Sequence, residues 1–230
     1  MTQLSTSTMK LDIGCSQRLL LYRILFLLSC TGTQLARSLS AQSLETSSLF
    51  AEGGPPLLDV PVYSLATVSE NGETGMNILT YATPVSISPD RLWTIGLYKG
   101  TVAHENFVAR RRGVLQLLTN KHVPLVRCLG GTSGRDVDKS QVCADFGFPW
   151  MENSIQGEDQ PCRLPDCANY LTLDCIQLWD GGSHDVALCR VTCMEVLAKP
   201  SGEKVDNLST GRLRELGIIT EQGRVADENR

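Results

Sequence analysis

Two short stretches of the chain carry the side chains best suited to chemistry. In the first, Lys99-Gly100-Thr101 brings an ammonium group and a hydroxyl to the start of a helix. A helix N-terminus offers free backbone N–H groups and a favourable dipole, so this is a natural seat for a phosphate. His104 lies one turn into the same helix and can assist. The segment before it carries Asn77, Thr80 and Tyr81, side chains suited to lining a ligand, with Tyr81 as a core aromatic and Thr80 as a plain strand former the competing roles. In the second stretch, His184 ends the turn Gly181-Gly182-Ser183-His184, where its ring either reaches a ligand or bonds its own loop. There is no GxSxG, HExxH or Walker loop, so hydrolase, zinc-protease and nucleotide-hydrolysis chemistry have no motif here. Gly130-Gly131-Thr132-Ser133-Gly134 is glycine-rich, but follows no clear strand and reads as a weak phosphate loop. A zinc set of Cys162, Cys167, Cys175 and His184 is conceivable, yet its spacing matches no common zinc pattern, and no metal is expected.

The elements that must position these residues are mostly strands. Val60–Val68 reads as a strand, Glu70-Asn71-Gly72-Glu73 as a hairpin turn and Gly75–Thr83 as the returning strand. Pro84 and Pro89 bracket a bend before a strand over Leu92–Tyr98. Thr101 caps a helix over Val102–Arg112, with Ala103 and Phe107 on its inner face and Gly113 as its stop. Val114–Thr119 resumes β-structure, and Val123–Trp150 alternates helical and irregular stretches. Met151–Asn169 reads as a long polar loop, of the kind that is often functional. Tyr170–Trp179 and Asp185–Leu197 form a second hairpin, and Ser209 caps a last short helix that Gly217 stops. Many short strands with few long helices point to a mainly β barrel with peripheral helices.

Composition narrows the partners. The 230 residues carry 21 basic and 25 acidic side chains, a net charge of −4. Four of the basic residues but one of the acidic ones fall in residues 1–44, so the remainder is more acidic still. That argues against nucleic acid, which needs a basic face. Nine cysteines, an odd number with no CxxC pair, fit reduced thiols rather than a disulfide framework. Residues 1–44, rich in Ser, Thr and Leu, read as a targeting leader or a disordered extension. Their apolar run Leu19–Leu28 is broken by Arg23 and is too short to span a membrane. An organelle is the expected destination, plastid ahead of mitochondrion. The domain is expected over 56–200, with a C-terminal helix and tail over 201–230.

The stretch Gly75–Phe107 also resembles a known family. Its Gly-apolar-polar-apolar-x-Thr-Tyr run, Ser-x-Ser-Pro bend, apolar strand and Thr-capped helix are similar to the flavin reductase-like group of FMN-binding split barrels. Gly182-Ser183-His184-Asp185 followed by an apolar strand resembles that group's Gly-Asp-His hairpin, with Ser183 in place of Asp and Arg190 where Gly is common. Leu208–Ile219 looks like the ending of eukaryotic members. The resemblance implies a split β-barrel of about six antiparallel strands and a homodimer with flavin sites at its interface. It implies FMN held by Asn77, Thr80, Tyr81, Lys99, Thr101 and His104, with NADH or NADPH as hydride donor received at His184. Electrons would pass to a small-molecule acceptor such as free flavin, a quinone, iron or oxygen. Ala103 stands where the group often has Thr, which thins the phosphate seat. A non-catalytic flavin carrier is the alternative function, and a β-barrel binding haem or a pyridoxine phosphate a third.

Overall fold

The computed structural model describes residues 57–152, 160–197 and 205–226, all within the unit Leu57–Arg230. The leader and the middle of the polar loop, residues 153–159, lie outside the described residues. Seven strands form one antiparallel sheet: β1 (Tyr63–Val68), β2 (Thr74–Leu79), β3 (Ala82–Ser86), β4 (Leu92–Tyr98), β5 (Arg112–Leu117), β6 (Asn169–Asp180) and β7 (His184–Val196). Their order across the sheet is β2-β1-β5-β6-β7-β4-β3. β2 and β3 are therefore its two edges, although only Thr80 and Tyr81 separate them in sequence. The sheet must curl until its edges meet at that corner, and no ladder joins them beyond it. This is a split β-barrel. Irregular register in β6 against β7, at Thr172/Leu173 and Cys175/Gln177, supplies the extra bend and twist that curling needs.

The expected single strand over Gly75–Thr83 is two strands, because the chain turns the barrel corner at Thr80–Tyr81. Ala82 N–H donates to Thr80 O at 3.1 Å and Gly96 N–H to Tyr81 O at 2.8 Å, which fixes the corner. β1 is buried on both faces. On one face Ala66, with Val62 just before the strand, meets one core with Val114, Leu118, Leu125 and Leu164. Its odd residues Tyr63 and Leu65 meet the other, with Ile95, Leu97, Phe107, Leu115 and Leu173. A strand's two-residue period allows one element to serve both cores.

The helices are α1 (Val102–Arg110), α2 (Val126–Gly131), α3 (Lys139–Asp145) and α4 (Thr210–Glu215). Thr101 caps α1, its Oγ1 accepting from His104 N–H at 3.2 Å. Ala103 and Phe107 are buried, as the inner face requires. The helix stops at Arg111 in the left-handed conformation (φ 55°) rather than at Gly113. Gly113 is glycine for packing: a Cβ there would lie 3.0 Å from Ala66 O and 3.2 Å from Phe107. Ser209 caps α4 by accepting from Arg212 N–H, and Gly217 (φ 65°) follows it. No helix among the described residues is long and apolar enough to cross a membrane.

Candidate functional site

A cleft of about 980 Å³ opens along β2. Its walls are β2 itself, the Thr80–Tyr81 corner, the start of α1, the loop Gly130–Asp138 and the C-terminal residues Gln222–Val225. Because β2 is an edge strand, alternate backbone N–H and C=O groups face away from β1 without ladder partners. Asn77 lines this wall, and its buried Oδ1 has no hydrogen-bond partner. A buried acceptor left open costs free energy, so it is a place for a ligand N–H or O–H. Asn106 backs the strand from α1, donating to Thr67 Oγ1 at 3.4 Å, while Thr67 donates to Gly75 O at 3.3 Å.

The start of α1 forms the floor. Gly100, with φ +80°, turns the chain from β4 into the helix. The N–H groups of Val102 and Ala103 have no helical acceptor, and both residues line the cleft. The cation beside them is Arg135. Its guanidinium donates to Gly100 O at 3.3 Å and to both Glu105 carboxylate oxygens at 2.6 Å. Lys99 does not reach this floor. Its Nζ is 2.6 Å from Asp180 and 3.2 Å from Asp185, on the far side of the β6–β7 turn. The reason is strand alternation: Gly96 and Tyr98 face the cleft, so Leu97 and Lys99 face away. His104 also leaves the cleft, its Nε2 lying 2.8 Å from Asp185. The expected seat thus keeps Thr101 and the helix N-terminus, while Lys99 and His104 anchor the hairpin to α1. The hydrogen bond from Lys99 holds the Asp180 carboxyl below its usual range, and the bond to His104 does the same for Asp185.

His184 stands at the cleft rim as the ladder partner of Tyr98. Its ring centroid is 5.1 Å from those of both Tyr81 and Tyr98, so three rings frame one end of the opening. Tyr81 is 62% exposed, which removes the core-aromatic role for it. It rests across Gly96, where a Cβ would meet Tyr81 Cβ at 3.0 Å. Ser183 Oγ is 3.0 Å from His184 Nδ1. Burial first, and then the positive charge of Arg224, push the His184 imidazole below its usual value. Asn77, Thr80, Tyr81, Thr101 and His184 therefore share one cleft.

Sequence reasoning missed three cations. Arg135 and Arg224 reach the cleft on loops remote in sequence, and no local pattern marks them. Lys139 is 7% exposed, at the start of α3 behind β2. Its Nζ donates to Leu129 O at 2.8 Å and Met76 O at 3.2 Å, and burial lowers its proton affinity. The Asp138 cap immediately before it was the one available signal. The loop Gly130–Gly134 does line the cleft, after a helix rather than a strand. No group of three or more metal-ligating side chains occurs among the described residues.

Comparison with solved structures places this architecture. A flavoredoxin from Methanosarcina acetivorans superposes with a TM-score of 0.57 at 15% identity, over 69% of this chain and 84% of the other. The NADH:FAD oxidoreductase of Streptomyces globisporus gives 0.53 at 18%, over 66% and 81%. An FMN-binding protein from Thermus thermophilus, solved with p-hydroxybenzaldehyde, gives 0.53 at 19%, over 63% and 76%. The chain spans 47% of a larger oxidoreductase-like protein from Sinorhizobium meliloti. These likenesses establish the fold. No curated protein matches the sequence. The sequence profile of the flavin reductase like domain matches residues 57–212, two thirds of the chain and every strand described above. The chain belongs to the flavin reductase-like domain family.

Proposed function

We propose that the protein is an FMN-dependent oxidoreductase that takes a hydride from NADH or NADPH and passes electrons to a small-molecule acceptor. One observation carries this reading: an edge strand with open backbone groups, a helix N-terminus and a histidine ring converge on one cleft. The residues present fit FMN. The cleft lies within the ~300–1,000 Å³ range of ligand sites. β2 and the orphaned Asn77 Oδ1 suit the polar edge of a flavin ring, and Tyr81 its face. The α1 N-terminus, Thr101 and Arg135 suit its single phosphate. Similar folds named flavoredoxin, FMN-binding protein and NADH:FAD oxidoreductase support a flavin here.

When bound, FMN supplies the redox chemistry. The chain supplies position and electrostatics. β2 orients the ring, and behind it Lys139 donates to the Met76 and Leu129 carbonyls, with no carboxylate within ion-pair distance among the described residues. His184, framed by Tyr81 and Tyr98, offers a hydrogen-bonding ring at the rim where a dinucleotide would stack, a positioning role. A homodimer extends the reading. Val85 and Ile87, 51% and 84% exposed, lie on or just beyond edge strand β3, where a second subunit would cover them. Delivery to an organelle, plastid ahead of mitochondrion, is what the leader's composition supports.

The test is anaerobic titration of the FMN-loaded protein with NADPH and NADH, following the visible flavin band. One equivalent of at least one donor should bleach it. A bound flavin that neither donor reduces would leave a carrier rather than an enzyme.

A further inference from the structure

The C-terminal strap, residues 218–226, lies beyond the segment that matches the family domain, yet it builds part of the cleft wall. It is a tight turn closed on itself. Thr220 N–H donates to Arg224 O at 2.7 Å, Gly223 N–H to Thr220 O at 2.9 Å and Ala226 N–H to Ile218 O at 2.9 Å. It is fastened to the domain at two points. Arg127 donates to Ala226 O at 2.6 Å. Val225 packs on Gly130 and Gly131, where added Cβ atoms would come within 3.3 and 3.1 Å of it. The strap thus holds Arg224 in a defined place, with its guanidinium carbon 5.8 Å from the Tyr98 ring centroid.

Arg224 differs from Lys99 and Arg135, which carboxylates hold, and from Lys139, whose ammonium is buried and donates to the Met76 and Leu129 carbonyls. Lys99 is paired with Asp180 and Asp185, and Arg135 with Glu105. Among the described residues, Arg224 has no carboxylate within ion-pair distance and rests on an aromatic face instead. At 5.8 Å the Tyr98 ring is within cation–π range, and a guanidinium without a carboxylate partner keeps its N–H fork for a ligand phosphate. Its location selects which phosphate. The single phosphate of FMN belongs at the α1 N-terminus, where Arg135 touches Gly100. Arg224 stands over Tyr98, the ladder partner of His184.

We infer that Arg224 is a phosphate-binding residue for the hydride-donating dinucleotide, presented by a C-terminal strap outside the matched domain. This rests on the oxidoreductase reading above. The guanidinium takes either the pyrophosphate, common to both dinucleotides, or the 2′-phosphate that only NADPH carries.

The experiment is calorimetry on the full-length protein and its Arg224→Gln and Arg224→Lys variants. NADP+ and NAD+ are titrated into the FMN-loaded protein, and FMN and riboflavin into the flavin-free protein. Arg224→Gln should weaken NADP+ about tenfold, the usual worth of one charge-assisted contact. Arg224→Lys should recover most of that loss. An equal loss for NAD+ places the guanidinium on the pyrophosphate, and a loss confined to NADP+ places it on the 2′-phosphate. FMN and riboflavin affinities should match wild type, which also reports an intact fold. Unchanged dinucleotide affinity in Arg224→Gln overturns this inference alone, as does a loss confined to FMN with riboflavin spared. A wild-type protein that takes up no FMN overturns the oxidoreductase reading itself.

Discussion

Arg135→Ala is the sharpest perturbation of the cofactor seat, because structure and sequence point to different cations there. Lys99 precedes the helix in sequence, but Asp180 and Asp185 hold its ammonium away from the cleft. Arg135 reaches the same helix start from a remote loop. A hydrogen bond to a charged group contributes about 1.5–3 kcal/mol. Arg135 is half exposed and shares its guanidinium with Glu105, so its contribution to phosphate binding should fall to about 1 kcal/mol. Its loss also leaves the Glu105 carboxylate unpaired in the first turn of α1, which disfavours an anion further. FMN affinity should therefore drop about fivefold in Arg135→Ala, measured by calorimetry or fluorescence quenching. Riboflavin, which lacks the phosphate, should bind variant and wild type alike. Lys99→Ala should change neither ligand. The reasoning is refuted if Arg135→Ala weakens riboflavin as much as FMN, or if Lys99→Ala is the variant that loses FMN selectively.

His184→Ala should keep FMN affinity and thermal stability, since the ring sits at the rim, yet slow flavin reduction by NADH or NADPH about tenfold, as loss of a ~1.4 kcal/mol positioning contact implies; stopped-flow reduction at the wild-type rate would return His184 to a turn residue. Lys139→Met should cost about 1–3 kcal/mol, because the Met76 and Leu129 carbonyls lose their shared donor while the burial penalty of the ammonium is relieved, and calorimetric melting reads the difference. Burial lowers the Lys139 proton affinity in the fold, so the unfolded chain binds that proton more tightly. The wild type should then gain stability as pH rises toward the ordinary lysine range near ~10.4, and that gain should be absent from Lys139→Met.

Much of the fold was legible because local signals agreed with the tertiary outcome. The Asn71-Gly72 turn, the Gly181–His184 turn, the Thr101 and Ser209 caps and the strand over Leu92–Tyr98 all describe what forms. The corner at Thr80–Tyr81 was not legible, since both residues are good strand formers and barrel closure makes the bend. Gly113 was misread as a stop because a packing glycine and a capping glycine look alike in sequence. Asn77, Thr80, Tyr81, Thr101 and His184, each named from the sequence, line one cleft. Lys99 and His104 turn to Asp180 and Asp185 instead of the cleft, and adjacency to a helix start does not say which carboxylates flank it. Asp180 and Asp185 lie some 80 residues further on and meet Lys99 only through the β4–β7 ladder. Arg135, Lys139 and Arg224 are brought in by the fold alone.

The central claim is that the cleft along β2 holds FMN, and equilibrium binding to the purified protein tests it most directly. Isothermal titration with FMN, read alongside the visible spectrum, should give one flavin per chain at micromolar affinity or tighter. The protein should be yellow, with the flavin bands perturbed by Tyr81 and the β2 edge. A colourless protein with no heat of binding at micromolar FMN would contradict the account.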